Sequence, residues 1–328
     1  MHVREWNPAT APGSDLEAWR LLYNEMLAAD MPGEPHWRAD NLRAYMAVTM
    51  PDENRGDWFA EHDGRVVGVA DLLLLDDLGV VEVYVSPDHR RRGVARTLLA
   101  QAVRRAHESG RTVLGAEVAA GTPATAFYQA HGFQLTCVEQ RNLLDLATVD
   151  WGRLREHATR TGSGYRIEYF PGGPPAELLN AYATAKQVVQ GDWELHPSSY
   201  SPDRLAHSLA TLHARGLTPH VVCAVHSRTG AIAGLTEVVA SALHPERADQ
   251  YDTVVVPAHR GYGLGLAMKA RMLLELRDAV PDLRDVQTWQ SMENEPMARV
   301  NAELGFMPDR EWHEYEASVP NLAARLGV

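Results

Sequence analysis

The stretch Glu82-Val-Tyr-Val85-Ser-Pro87-Asp-His89-Arg90-Arg-Arg-Gly93-Val-Ala95 returns 170 residues later as Asp252-Thr-Val-Val255-Val-Pro257-Ala-His259-Arg260-Gly-Tyr-Gly263-Leu-Gly265. Val85, Pro87, His89, Arg90 and Gly93 all recur. Working outward, Gly64 and Gly68 recur as Gly230 and Gly234 at an offset of 166, and Pro123, Gly132 and Phe133 recur as Pro296, Gly305 and Phe306 at 173. A collinear set with such small changes of offset marks a duplicated fold whose copies differ by loop insertions.

Each copy carries the same coarse order of elements. Apolar runs on both sides of Asp63-Gly64 predict a β-hairpin over 58–70, because the two turn positions need positive φ. Residues 80–85 form a third strand, with Val81, Val83 and Val85 on one face and Glu82 and Tyr84 on the other. Val94, Leu98, Ala102 and Ala106 fall at i, i+4 spacing and predict a helix ending near Gly110. A strand over 112–118 follows, then a short helix opened by Pro123 and ended by Gly132. The second copy predicts strands at 220–226, 231–240, 251–256 and 286–289 and helices at 264–279 and 296–304. The sequence therefore predicts an α/β fold in two tandem domains, 1–148 and 165–328, joined by a helical connection over 149–164. Pro-Gly-Gly-Pro-Pro at 171–175 has linker composition, but the repeat places it inside the second copy as a strand-to-helix turn.

A chain of 328 residues is long enough for two ordinary domains. With 45% hydrophobic and 23% charged residues it is neither disordered nor fibrous in type. Two cysteines, Cys137 and Cys223, without CxxC spacing exclude a disulfide framework and a zinc-ribbon site, and the expectation is a cytoplasmic protein. Neither an apolar run of signal-peptide length at the start nor ~18 uninterrupted apolar residues anywhere is present, so no membrane association is expected. The histidines lack HxxxH or HExxH spacing, and no metal is expected. A formal charge of -12 argues against a nucleic-acid backbone as partner and suits a cationic small molecule.

The chemistry-bearing element is the loop between a strand and a helix. Successive backbone N–H groups at a helix N-terminus form a concave donor array, reinforced by the helix dipole, that suits a phosphate or pyrophosphate. Glycine lets the backbone approach such an anion closely. GxxxxGK[ST] is absent, and Gly261-Tyr-Gly263-Leu-Gly265 lacks the GxGxxG interval.

Arg90-x-x-Gly93-x-Ala95 and Arg260-x-x-Gly263-x-Gly265 resemble the acetyl-CoA-binding loop, [RQ]xxGx[GA], of the GNAT superfamily of N-acetyltransferases. A short helix with Tyr128 followed by Gly132-Phe133 is similar to that family's second signature. The resemblance covers roughly residues 58–140 and 220–310, and the tandem form is similar to mycothiol synthase and other bacterial double-GNAT proteins. It implies a splayed mixed sheet flanked by helices in each domain, acetyl-CoA as co-substrate, and direct attack by an amine of a small molecule. It further implies that the co-substrate lies along Val83 and Val85, the loop Arg90, Arg91, Arg92, Gly93, Val94 and Ala95, and in the second copy Val255, Arg260, Gly261, Tyr262, Gly263, Leu264, Gly265 and Asn294. A fused pair can act as a pseudo-dimeric monomer or as a homodimer.

Amide formation from a thioester needs a neutral amine, donors to the carbonyl oxygen and a proton for the departing thiolate. Tyr128, with a reference pKa near ~10, is the candidate proton donor. Its counterpart in the second copy is Asn301, which can hydrogen-bond but not act as an acid. Glu82, whose counterpart Asp252 is also acidic, and Glu117 are the candidate bases, against the alternative of a solvated strand face. Trp6, Trp37, Trp193 and Trp289 are candidates for an acceptor pocket, against core packing. Two other functions stay open: acylation of a protein N-terminus or lysine, and a duplicated CoA-binding module without turnover.

Overall fold

A computed structural model describes residues 1–50, 53–75, 78–187, 201–291 and 294–328; Trp193 lies outside them. The chain runs β1 (His2–Trp6), α1 (Gly13–Asp30), α2 (Leu42–Ala47), β2 (Asn54–His62), β3 (Arg65–Leu74), β4 (Leu78–Val85), α3 (Val94–Glu108), β5 (Val113–Ala119), α4 (Pro123–His131) and β6 (Gln134–Asp145). It continues through α5 (Trp151–Thr159), β7 (Tyr165–Pro171), α6 (Leu179–Lys186), α7 (Pro202–Ala214), β8 (Leu217–His226), β9 (Ile232–Ser241), β10 (Arg247–Val255), α8 (Leu264–Ala279), β11 (Asp285–Ser291), α9 (Glu295–Leu304), β12 (Met307–Ser318) and α10 (Val319–Leu326). The mixed α/β fold is the one the duplicated pattern predicts. Asp63 and Gly64 take φ of 50° and 74°, which turns β2 back along β3.

Two compact units make up the chain: residues 1–140 with 310–328, and residues 141–309. These bounds differ from the repeat-based division at 148 and 165 in two respects. The carboxyl-terminal strand β12 pairs antiparallel with β5, from Trp312 opposite Ala119 to Ser318 opposite Val113, so the end of the second copy completes the first unit. Tyr315, Ala317, Val319, Leu322 and Ala323 then bury themselves in the core beneath α3. The expected connection over 149–164 is also no free linker, because Leu154 of α5 is buried with Met272, Leu273 and Leu276 of α8 inside the second unit.

In the first unit the strand order is β1-β2-β3-β4-β5-β12, with the first part of β6 beyond β12. Leu98 and Leu99 of α3 are fully buried against the sheet, each contributing about 1.5–3 kcal/mol of hydrophobic stabilisation. An added Cβ on Gly68 of β3 would lie 2.7 Å from Val94, so glycine sets how closely α3 approaches. In the second unit the order is β11-β10-β9-β8-β7, with the remainder of β6 beside β11. Gly234 of β9 repeats the close approach, 2.9 Å from Met268 of α8.

Candidate active site

In the first unit the site begins where two parallel strands part. β4 and β5 pair only over Leu78–Val113, Gly79–Leu114 and Val80–Gly115. Past that point the backbone of β4 from Val81 onward runs without β5 as its ladder partner. Tyr128, 2% exposed on α4, reaches into this place, and its hydroxyl donates to the Val81 carbonyl at 3.2 Å. Burial, and then the charge of Glu82, push the phenol well above its ordinary value, while a backbone hydrogen bond with Val83 works the other way. Val81 and Val85 are buried and Val83 half-buried on the α3 side, whereas Glu82 is exposed on the opposite face. The expected alternation along β4 is therefore present.

Beyond Val85 the chain turns into the loop 86–93 and α3. Arg91 and Gly93 both have positive φ, 60° and 84°, and Gly93 is the N-cap residue of α3 without any side-chain cap. The N–H groups of Val94, Ala95 and Arg96 have no intrahelical acceptor at this position, so they form an uncapped donor array. A Cβ added to Gly93 meets nothing within 4 Å. Backbone conformation and space for an anion, not protein packing, are what glycine supplies there. Arg91, Arg92 and Arg96 are exposed around this array. Arg90 is not: its two terminal nitrogens each lie 2.7 Å from Asp30 of α1, and Nε donates to the Val85 carbonyl at 3.2 Å. Its guanidinium holds the loop in place and is not turned toward the donor array. Val94 buries its side chain in the core and offers only its backbone to the loop.

Glu117 of β5 sits directly opposite Glu314 of β12. Its side chain is exposed, yet the surrounding protein still takes water from its carboxyl. That desolvation, followed by repulsion from Glu314 and Glu82, pushes its carboxyl up to about 7. The structure thus brings Tyr128, Glu82 and Glu117 into one electrostatic neighbourhood around the parting strands.

The second unit keeps the loop and changes the chemistry. Gly261 and Gly263 have φ of 85° and 73°, α8 starts at Leu264 with no side-chain cap, and Arg260 Nε donates to the Val255 carbonyl at 3.2 Å, as Arg90 does to Val85. Leu264 is core, Gly265 lies beside Val255, and Tyr262 is exposed with its carbonyl accepting from Gly162 N–H. Asn294 caps α9 by accepting from the Met297 N–H at 3.2 Å. At the Tyr128 position, Asn301 donates to Gln290, the counterpart of Glu117, at 2.6 Å and accepts from Lys269, the counterpart of Leu99, at 2.7 Å. Complete burial pulls the Lys269 ammonium down to about 7. Neither the phenol nor the Glu117 carboxylate has an equivalent here.

Of the tryptophans, Trp6 is core, stacked 4.3 Å from Phe59, and Trp289 is half-buried on β11. Trp37 is half-buried, packed 4.7 Å from Tyr23 and 5.1 Å from Tyr45. Asn24 holds its backbone from both sides, accepting from Trp37 N–H at 2.8 Å and donating to its carbonyl at 3.0 Å. Sequence reading missed Asp71, Tyr23 and Arg96. Counting back across the Asp63-Gly64 hairpin would have paired Asp57 with Ala70; an irregularity between Ala60 and Glu61 shifts the register by one and sets Asp57 opposite Asp71, so the local sequence held no signal for the pair.

Residues 17–133 match the family model described as Acetyltransferase (GNAT) family. The chain superposes with TM-score 0.85 and 26% identity on the tandem GNAT protein from the clavulanic acid biosynthesis pathway, over 97% of this chain and 98% of that one. A GCN5-related N-acetyltransferase from Sphaerobacter thermophilus gives TM-score 0.68 at 17% identity, over 97% and 95%. The glucosamine N-acetyltransferase region of a fungal multi-domain β-N-acetylglucosaminidase gives 0.68 at 13%, over 96% of this chain and 38% of that one. A search of curated proteins returns no match. Residues 17–133 are a GNAT acetyltransferase domain, and the whole chain has the tandem GNAT fold.

Proposed function

We propose that the first unit transfers an acetyl group from acetyl-CoA to an amine of a small molecule by direct attack. The observation that carries the reading is the coincidence of three features: the parting of β4 from β5 after Val80, the uncapped start of α3 at one end of it, and the Tyr128 hydroxyl within it. Val94, Ala95 and Arg96 N–H groups, with Arg91 and Arg92 beside them, suit the pyrophosphate. The freed edge of β4 from Val81 to Val85 suits the pantetheine arm, whose amides need backbone partners. The similar tandem protein comes from a small-molecule pathway, which supports a small acceptor over a protein one.

In this reading Glu82 or Glu117 takes a proton from the acceptor's ammonium, directly or through water. The amine nitrogen then forms its bond to the thioester carbonyl carbon, the carbon–sulfur bond breaks, the sulfur leaves with the proton that Tyr128 offers, and the second proton shed by the nitrogen as the amide forms restores the phenol. A thiolate in a dry gap becomes more basic along with the phenol, so their relative basicities inside the site decide the transfer. The second unit, with Asn301 and Gln290 in place of Tyr128 and Glu117, is read as a CoA-binding module without turnover. Two cysteines and an acetyl-CoA requirement accord with a cytoplasmic monomer or homodimer. A thiol-release assay with acetyl-CoA across a panel of small amines tests the reading, and release no faster than hydrolysis with every amine would overturn it.

A further inference from the structure

The face of the first unit's sheet opposite α3 carries carboxylates on three adjacent strands, Asp57 and Asp71 buried and Glu82 exposed. Register places Asp57 of β2 opposite Asp71 of β3, and Asp71 opposite Glu82 of β4, each about 4.8 Å apart in strand spacing. Asp71 is 6% exposed; it hydrogen-bonds Asp57, and its Oδ1 has no partner. Arg55 is the nearby cation, with Nη2 3.3 Å from Asp57 Oδ1. Among the described residues no ion pair reaches Asp71 or Glu82. Tyr84 hydrogen-bonds Glu82, and Tyr23 meets Tyr84 edge to face at 5.0 Å, with both rings half-buried against these charges. A buried carboxyl with an idle oxygen is costly, and desolvation followed by the Asp57 charge raises Asp71 well above the usual carboxylate range.

The second unit shows how the same positions look when a cation is supplied. Glu237 of β9 is the counterpart of Asp71, at the offset of 166, and Asp252 of β10 the counterpart of Glu82, at 170. Lys186, from the last turn of α6, places Nζ 2.6 Å from Glu237 and 2.9 Å from Asp252. The Tyr182 hydroxyl donates to the same Glu237 carboxylate, and its ring centroid is 5.8 Å from the ammonium. A primary ammonium, a carboxylate pair and an aromatic ring thus form a closed set in one copy of the fold.

We propose that the Asp71–Glu82 pair of the first unit seats the primary ammonium of the acceptor, as Glu237 and Asp252 seat Lys186 in the second unit, and that Lys186 closes the second unit to such compounds. The assignment rests on the first unit being the acetyl-transfer site and narrows its acceptor to an alkyl ammonium compound. Tyr23, Tyr84 and Trp37 supply ring faces for the cation and its chain. Asp71 acts here on binding and specificity, while Glu82 also borders the reacting nitrogen.

Ligand-observed NMR titration of the full chain, without acetyl-CoA, tests the seat. The probes are butylammonium chloride, n-butanol, and tetramethylammonium chloride, which is cationic but has no N–H to donate. The wild type should bind butylammonium at least about tenfold more tightly than either control, and Asp71→Asn and Glu82→Gln should each weaken it at least about tenfold. Lys186→Met should bind a second butylammonium per chain, and combining it with Asp71→Asn should leave one. Equal binding of the three probes, undiminished binding in both amide variants, or one equivalent in Lys186→Met would each overturn the assignment. Should an amide variant fail to melt like the wild type, the Lys186→Met stoichiometry decides. Because no turnover is involved, bound butylammonium without any acetyl transfer counts against the catalytic reading alone, and acetyl transfer without selective binding counts against the seat alone.

Discussion

The Tyr128 hydroxyl donates to the Val81 carbonyl, the first on β4 past the last residue pair shared with β5. A phenol hydroxyl is therefore fixed at the point where the sheet opens, and its partner is a backbone group that the opening itself releases. Tyr128→Phe keeps the ring packed against Phe133, 5.0 Å away, and removes only the donor. A positioned acid contributes typically ~10² to 10⁴-fold. kcat should fall at least about tenfold with KM for acetyl-CoA within a few-fold, and Asn301→Ala should do much less. Steady-state kinetics on both variants checks the ranking, and the reverse order would make the second unit the catalyst.

Glu117 gives the pH dependence a sign. With its carboxyl pushed up to about 7, it is protonated below that value and becomes a base above it. The rate should rise with pH through about 7 and level off, and Glu117→Gln should lower it most on the alkaline side, where the wild-type carboxylate is ionised. A profile of unchanged shape in Glu117→Gln, measured at saturating acetyl-CoA, would leave Glu82 as the base.

Gly93→Val should weaken CoA binding at least tenfold, since φ of 84° excludes a β-branched residue and the open space beside the Cβ is where an anion would lie. Gly263→Val puts the same question to the second unit. Calorimetry resolves the two, because loss of one binding event in each variant would show that both loops hold CoA.

Lys269 links stability to pH. Its folded value near 7 lies below the unfolded reference of ~10.4, so between those limits the unfolded chain binds more protons and stability rises with pH. Below about 7 the ammonium is charged in both states and the full penalty is present. Lys269→Met, which removes the group, should therefore gain most over the wild type at pH 6 and least at pH 9. The difference should shrink by on the order of 2–3 kcal/mol, two pH units at 1.36 kcal/mol each. Denaturant melts at the two pH values measure it.

Local patterns carried the repeat, the strand alternation around Glu82 and Tyr84, and the start of α3 at Gly93, because each is written in neighbouring residues. What escaped depends on partners distant in sequence. Arg90 sits in a loop that reads as phosphate-binding, but Asp30, sixty positions earlier, takes both its terminal nitrogens. Asp71 is one acidic residue in an apolar strand until register sets it beside Asp57 and Glu82. Lys186 ends a helix of ordinary composition, and its meaning comes from two carboxylates on strands 51 and 66 residues further on. Duplication invites a cut between the copies, and nothing in the spacing tells that β12 lies beside β5.

That placement of β12 and α10 has a consequence for how the protein is made. Residues 1–140 leave the ribosome before residues 141–309, yet the strand bordering β5 and the helix packed on α3 belong to residues 310–328, which follow both. At a synthesis rate of ~5–20 residues/s, the intervening chain takes roughly 10–40 s to be added. Throughout that interval the edge of β5 and the apolar surface of α3 lack their native cover, and by its end every part of residues 141–309 is available. The half begun first is the half completed last, and a nascent chain halted before residue 310 holds a closed second unit and an open first one.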